Sequence, residues 1–245
     1  DLHSFPTRRS SDLWSCGTLE FRNVSFSSPG AEEKTLTDIS FIARPGQVTA
    51  FIGGTGSGKS TLISLIPRFY DVTEGSILLD GTDIRDIKLA ALRDKIGYVS
   101  QKGVLFSGTI ASNLKLGCDD ASDEELTAAA KTAQAFDFIS EKPEGMLQTV
   151  SQGGTNISGG QKQRLSIARA LIKQPQIYIF DESFSALDFK TDRALRKALK
   201  NHTGNSTMQR INTIMRADRI IVLNEERIAG TGTHAQLMEN CGIYK

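Results

Sequence analysis

The chain has 245 residues, of which 29 are basic and 28 acidic, giving a formal net charge of +1. This balance gives no reason to expect nucleic acid or an anionic membrane surface as the main partner. No stretch approaches the ~20 apolar residues that a membrane-spanning helix needs. The length suits one large domain. Cys16, Cys118 and Cys241 share no pairing or metal-ligand spacing, so we expect reduced thiols.

The first thirteen residues differ in character from the rest. Residues 1–13 (DLHSFPTRRSSDL) lack the apolar core region of a signal peptide. They resemble the conceptual translation of a sequencing adapter, and we interpret them as a disordered assembly artefact, with a natural polar tail as the alternative. On this interpretation the protein continues upstream, and residues 14–245 form one domain.

The remaining residues alternate between strand and helix patterns. A helix is predicted over 59–69, and a helix-rich region runs from 108 to about 170, with one helix starting near Asp123. The apolar run at 177–180 indicates a strand buried on both faces. These patterns predict an α/β fold with a mostly parallel sheet, an antiparallel layer at the start and a helical insertion. Other strands are predicted at 19–26 with a bulge, 36–43, 47–52, 77–79 and 96–99.

A glycine-rich segment follows the third predicted strand and opens the first predicted helix. In that context the pattern G-x-x-x-x-G-K-[ST] indicates a P-loop, whose backbone N–H groups surround phosphate oxygens. Lys59 would contact the β- and γ-phosphates, the Ser60 hydroxyl would bind Mg²⁺, and Thr61 would lie near the α-phosphate. A flexible glycine turn is the alternative, which the flanking strand and helix disfavour. The segment comprises Gly53, Gly54, Thr55, Gly56, Ser57, Gly58, Lys59 and Ser60.

Two acids follow the buried strand at 177–180. Ligands of open α/β sheets collect at the carboxyl ends of the strands. Asp181 is therefore predicted to hold Mg²⁺, through water, and Glu182 to polarise the attacking water as general base. The alternative is an ordinary strand capped by acids at a helix start, which the presence of the P-loop disfavours.

The segment Ile157-Ser158-Gly159-Gly160-Gln161 lies between the P-loop and these acids. With this spacing the chain resembles the ATP-binding cassette family, whose signature, usually L-S-G-G-Q, binds the γ-phosphate of ATP held by a partner cassette. Two glycines at a helix start expose N–H groups to an anion, and Ser158 adds a hydroxyl donor. A simple helix cap is the alternative. The resemblance covers about 17–245 and implies a RecA-like P-loop NTPase fold with a helical signature subdomain at about 103–170.

Further positions match the family residue by residue. The resemblance places Gln101 in the Q-loop, where it contacts Mg²⁺, and Ser185 and Asp188 in the D-loop, which crosses the dimer interface. It implies ATP and Mg²⁺ as ligands, a second cassette bound head to tail, and no nucleic acid. The segments 65–70, 104–110 and 151–156 are similar to bacterial exporters of the multidrug or lipid type. That similarity implies a transmembrane domain as partner and a location at the cytoplasmic face of the cell membrane.

Two positions depart from the family pattern. Ser28 stands 25 residues before the P-loop, where the family has an aromatic residue that stacks on adenine. Base–aromatic stacking is worth about 1–3 kcal/mol, so we expect weaker ATP binding and poorer discrimination against GTP. The alternation around Phe26 places that ring in the core. Gln209 replaces the catalytic switch histidine; because glutamine cannot carry a proton, slow turnover is expected, as in heterodimeric exporters with unequal sites.

The strand that should precede Gln209 is largely missing. Residues 203–208 contain one good apolar residue, Met208. Similar members of the family carry about four more apolar residues here, as a central parallel strand requires. Either residues have been lost, or neighbouring residues fill the gap. An unfilled gap would cost several kcal/mol, which is comparable to the stability of a whole domain.

Three functions are weighed on these motifs. The leading hypothesis is the ATP-hydrolysing cassette of an exporter, supported by intact Lys59, Asp181 and Glu182. A catalytically weak, regulatory cassette of a heterodimeric transporter is the alternative, favoured by Ser28 and Gln209. A soluble cassette acting on DNA or ribosomes would carry two cassettes or a long coiled coil before the signature, and the compact spacing argues against both.

Overall fold

The computed structural model describes residues 17–30, 33–184, 187–203, 209–212 and 217–245, without the side chains of 200–203 and 209–212. The interpretation of residues 1–13 and the predicted D-loop residue Ser185 lie outside the described residues. Within those ranges no helix is long and apolar enough to cross a membrane. Of the cysteines, Cys118 and Cys241 are described and are free thiols.

The elements alternate along the chain much as their apolar patterns predict. In chain order the strands are β1 (Leu19–Phe26), β2 (Leu36–Ala43), β3 (Val48–Ile52), β4 (Glu74–Leu79), β5 (Thr82–Asp83), β6 (Ile96–Val99), β7 (Gly108–Thr109), β8 (Thr149–Val150), β9 (Ile177–Phe180), β10 (Gln209–Asn212), β11 (Arg219–Asn224) and β12 (Arg227–Gly232). The helices are α1 (Lys59–Leu65), α2 (Leu89–Asp94), α3 (Ile110–Lys115), α4 (Asp123–Thr132), α5 (Phe136–Ser140), α6 (Gly159–Ile172), α7 (Phe189–Thr203) and α8 (His234–Asn240).

A six-stranded sheet places the carboxyl ends of its strands along one edge. Its order is β12-β11-β3-β10-β9-β6; all neighbours pair in parallel except β12, which is antiparallel to β11. All four residues of β9 are buried, as its apolar sequence predicts. The predicted mostly parallel α/β core is therefore confirmed. Because β3 and β9 are separated only by β10, the loops after them lie close together.

A four-stranded antiparallel sheet, in the order β2-β1-β4-β5, forms the predicted layer at the start of the chain. Pairing of β1 with β2 shifts register on both sides of Val24, which confirms the predicted bulge. Phe26 is only 4% exposed and lies 5.7 Å from the ring of Tyr70, so it belongs to the core as expected.

The helices agree with the predicted ones except at the end of α1. Helices α3 to α6 follow one another between residues 110 and 172, and α4 begins with a capping box from Ser122 to Glu125. Helix α1 ends at Leu65, although the pattern predicted a helix to residue 69. Pro67 lacks an N–H group and disfavours helical backbone before it, and Arg68 adopts a left-handed φ of 52°.

Strand β10 lies between β3 and β9, where the sequence predicted a central strand but lacks the apolar residues for it. Gln209 pairs with Ile177, and Asn212 pairs with Ala50 of β3. Residues 209–212 therefore pair at this place in the sheet, and the loss of residues before them stays a prediction. The consequence is that Gln209 lies at the amino end of the strand. Four residues at ~3.3 Å each separate that level from Asp181, or on the order of 13 Å.

Candidate nucleotide site

The P-loop joins β3 to α1 and folds around the ammonium group of Lys59. Nζ of Lys59 donates hydrogen bonds to the backbone oxygens of Gly53 and Gly54, each at 2.8 Å. Gly58 precedes the helix with a φ of 87°, and a Cβ atom there would lie 2.9 Å from the backbone oxygen of Thr35. The loop therefore requires glycine at that position, as a close phosphate cradle does. Gly54, Thr55 and Gly56 are exposed at its tip, and Ser57 and Thr61 are half-buried.

The P-loop and the acidic end of β9 meet through Ser60 and Asp181. The Ser60 hydroxyl donates to Oδ1 of Asp181 at 3.1 Å, and the hydroxyl of Tyr98 donates to Oδ2 at 3.2 Å. Burial, the charge of Asp181 and this hydrogen bond raise the pKa of Tyr98 well above its usual value, so the phenol remains a donor. Hydroxyl and carboxylate oxygens are the ligands that Mg²⁺ prefers, so the Ser60–Asp181 pair fits that ion.

Glu182, directly after the metal-type ligand Asp181, is held by the loop after β6. Nε2 of Gln101 donates to Oε2 of Glu182 at 2.8 Å. Glu182 itself has a left-handed φ of 45°, a conformation that costs free energy and concentrates at functional sites. The described side-chain hydrogen bond of Gln101 goes to Glu182, and the metal contact expected of Gln101 stays a prediction. The structure thus brings Ser60, Gln101, Asp181 and Glu182 to one edge of the sheet.

Three supporting side chains were missed by the sequence analysis. Tyr98 contacts Asp181; the Ser183 hydroxyl donates to the backbone oxygen of Val99 at 2.8 Å; and Gln163 of α6, 1% exposed, donates to the backbone oxygen of Ser100 at 3.1 Å. A hydroxyl near a strand end and a glutamine among apolar helical positions were the available signals. Neither signal indicates which distant atom is contacted.

The signature segment begins α6 on an exposed surface. Ser158 is the N-cap: its hydroxyl accepts from the Gln161 N–H at 3.3 Å, and the Gln161 side chain accepts from the Ser158 N–H at 3.2 Å. The cap considered as an alternative is therefore present, alongside exposed Gly159 and half-buried Gly160 in the first turn. Among the described residues, no hydrogen bond joins this segment to the P-loop. A role toward a partner's nucleotide remains a prediction.

In the part of the chain that the structure describes, no hydrogen bond joins Ser28 or Asp188 to this cluster. Asp188 caps α7, accepting from the Thr191 N–H at 3.0 Å, and hydrogen bonding from Thr191 lowers its pKa. Ser28 is exposed just after β1. The backbone of Gln209 lies at the amino end of β10, away from Asp181. The catalytic role of Gln209 beside the γ-phosphate stays a prediction.

A family model described as ABC transporter matches residues 36–185. The chain belongs to the ABC transporter family. It corresponds to the ATP-binding domain, the cassette, and ATP-binding domains of this family are ATPases. The matched range contains the P-loop, the Q-loop, the signature and the acidic strand.

Curated relatives and a solved structure agree with this assignment. The cassette is 47% identical over 233 residues to an ATP-dependent lipid A-core flippase of Pseudomonas fluorescens, covering 93% of this chain and 39% of the relative. It is 45% identical over 235 residues to an uncharacterized ABC transporter ATP-binding protein of Mycobacterium bovis, covering 93% and 40%. A bacterial Atm1-family ABC exporter with ATP bound matches with a TM-score of 0.89 at 38% identity, covering 95% of this chain and 41% of that one. The chain thus spans about two fifths of the length of these proteins.

Proposed function

We propose that this cassette binds ATP with Mg²⁺ and hydrolyses it to power export through a transmembrane domain. The observation that carries the proposal is the Ser60–Asp181 hydrogen bond, which joins the P-loop to the acidic end of β9. It brings a phosphate cradle and an acidic strand end into one site. Glu182, held by Gln101, lies next to Asp181 along the chain.

Each residue of the site has a distinct role in this proposal. Lys59 exchanges its contacts with two loop carbonyls for the β- and γ-phosphates, so its charge stays compensated before and after binding. Ser60 and Asp181 would hold Mg²⁺, which when bound offsets the charge that develops on the phosphates. Glu182 accepts the proton of the attacking water, and Gln101 orients the Glu182 carboxylate for that step.

The partners follow from the architecture of the relatives. Ser158, Gly159, Gly160 and Gln161 would bind the γ-phosphate of ATP in a second cassette packed head to tail, with the D-loop residues Ser185 and Asp188 at the interface. The flippase and the exporter named above support a transmembrane domain as partner and a location at the cytoplasmic face of the membrane. The regulatory, catalytically weak alternative is not favoured, because Lys59, Asp181 and Glu182 are all present.

Two neighbouring glycines allow a matched test of nucleotide binding. A Cβ atom at Gly53 would lie 2.5 Å from the backbone oxygen of Leu223 and crowd Ser57, whereas one at Gly54 would meet nothing within 4 Å. We therefore expect Gly53→Ala to weaken binding of a fluorescent ATP analogue with Mg²⁺ about tenfold, the cost of forcing a methyl group into a packed site. Gly54→Ala, the control, should bind like the wild type.

Failure of the wild-type cassette to bind the analogue, or equal binding by Gly53→Ala, would contradict the proposed site. The export step is tested with the same variants. Residues 17–245 are joined to the membrane domain of an exporter relative, and ATP-driven transport is measured in vesicles. Transport by the Gly53→Ala chimera should fall with its ATP affinity, while the Gly54→Ala chimera keeps the wild-type rate.

The adenine side of the site gives a further prediction. Ser28 is exposed and offers no ring, so Ser28→Tyr should tighten ATP binding about tenfold, within the range measured for base–aromatic stacking. Competition of ATP and GTP against the fluorescent analogue provides the measurement. Ser28→Leu is the control, because leucine adds bulk without a π face. Equal gains from both substitutions would show that stacking on this residue plays no part.

A further inference from the structure

Both oxygens of the Asp181 carboxylate receive a hydroxyl from a different element. Oδ1 accepts from Ser60 in the first turn of α1, at 3.1 Å, and Oδ2 accepts from Tyr98 in β6, at 3.2 Å. The two donors thus divide the carboxylate into a side facing the P-loop and a side facing the next strand. In the proposed function, Asp181 needs only Oδ1, the oxygen that faces the P-loop.

The ring of Tyr98 has packing contacts of its own, in addition to the hydrogen bond from its hydroxyl to Asp181. Tyr98 lies opposite Ile179 in the parallel pairing of β6 with β9. Its ring meets the ring of Phe69 edge-on, with centroids 5.3 Å apart, and the Arg93 guanidinium lies 5.5 Å from the centroid of Phe69. A hydroxyl held on a packed ring of β6, the strand paired with β9, is a preorganised donor, so it fixes the orientation of the carboxylate.

The orientation matters because divalent cations differ in how they use carboxylates. Mg²⁺ requires near-ideal octahedral geometry, whereas Ca²⁺ accepts more ligands and often binds both oxygens of one carboxylate. With Oδ2 engaged by Tyr98, Asp181 presents Oδ1 alone beside Ser60. We propose that Tyr98 is a positioning residue: it lets Asp181 present only Oδ1, to a water on the ion, and so makes the site select Mg²⁺, which keeps its waters, over Ca²⁺, which binds both oxygens of a carboxylate. This inference rests on the proposed function, since it assumes that Ser60 and Asp181 hold the nucleotide's metal ion.

Tyr98→Phe tests the proposal because it removes the hydroxyl and keeps the ring against Phe69. Mn²⁺ serves as the probe for Mg²⁺, since both favour octahedral oxygen sites. Mn²⁺ bound to the cassette with a non-hydrolysable ATP analogue is measured by electron paramagnetic resonance and displaced with Ca²⁺. We expect the ratio of the Ca²⁺ to the Mn²⁺ dissociation constant to fall about tenfold, the lower end of the effects known for residues that orient metal ligands.

Tyr70→Phe is the matched control, because Tyr70 is 52% exposed and packs near Phe26 away from Asp181. It should keep the wild-type ratio. An unchanged ratio for Tyr98→Phe, or equal losses of Mn²⁺ and Ca²⁺ affinity, overturns the inference, because a general disturbance weakens both ions alike. Binding of Mn²⁺ and the analogue to the wild type separates the two proposals. If the wild type does not bind Mn²⁺ together with the analogue, the proposed function falls and this inference with it; if it does, only the ratio decides.

Discussion

Replacing Glu182 by glutamine is expected to lower the turnover number for ATP about a hundredfold or more, the usual effect of removing a general base. Glutamine has the same shape but its amide cannot take a proton from water. The Gln101 side chain can turn its amide oxygen toward the new Gln side chain, so the local hydrogen bond survives. ATP affinity should therefore remain within about twofold, since the loss is confined to the transition state. Phosphate release and binding of a fluorescent ATP analogue provide the two measurements.

Glu141→Gln is the control for this substitution. Glu141 is exposed at the end of α5, outside the site, so its variant should hydrolyse ATP like the wild type. A Glu182→Gln rate above a third of the wild-type rate would remove Glu182 from the role of base. The left-handed backbone of Glu182 gives no reason to expect a change in stability, because glutamine tolerates that conformation no better than glutamate. The unfolding midpoint should thus hardly change.

Inserting about four apolar residues before Gln209 is expected to stabilise the cassette by about 3 kcal/mol, or about 10 °C in Tm for a domain of this size. Strand β10 lies between β3 and β9 in the middle of the parallel sheet, yet its sequence is Gln-Arg-Ile-Asn. A strand in this place requires apolar residues on both faces. The insertion supplies them and moves Gln209 toward the carboxyl edge, so ATP turnover should rise as well.

A glycine–serine insertion of the same length is the control for chain length alone. It should give no gain in the denaturant midpoint, because it adds no apolar surface to the sheet. Equal stability of the two insertions would mean that β10 already pairs as well as an apolar strand would. In that case the position of Gln209 at the amino end of the strand is the natural one.

Much of the fold could be predicted because its signals are local. The runs at 36–43, 96–99 and 177–180 became strands with the predicted bounds, since apolar and β-branched residues identify them without reference to the rest of the chain. The order P-loop, signature and acidic strand identified the family for a similar reason. Proline at position 67 is also a local signal, and giving it more weight would have ended α1 correctly.

The parts that could not be predicted depend on pairing between distant segments. The polar residues of β10 form a strand because β3 and β9 offer unpaired backbone groups on either side, which no local pattern shows. The contact of Tyr98 with Asp181 depends on the register of β6 against β9, 83 residues apart along the chain. The contact of Gln163 could not be predicted for the same reason, because its partner is the backbone oxygen of Ser100, 63 residues away along the chain.

The hydrogen bond from Gln163 to the backbone of Ser100 also limits which segments of this domain can be exchanged with those of another transporter. Gly103 packs so closely on the backbone of Lys162 that a Cβ atom would lie 2.7 Å from its carbonyl carbon. The two segments are therefore held together by this hydrogen bond and by the close packing of their backbones. A chimera that takes residues 159–172 from one transporter and residues 100–103 from another would lose the hydrogen bond and the packing contact together. Segments exchanged between transporters should therefore include both ranges.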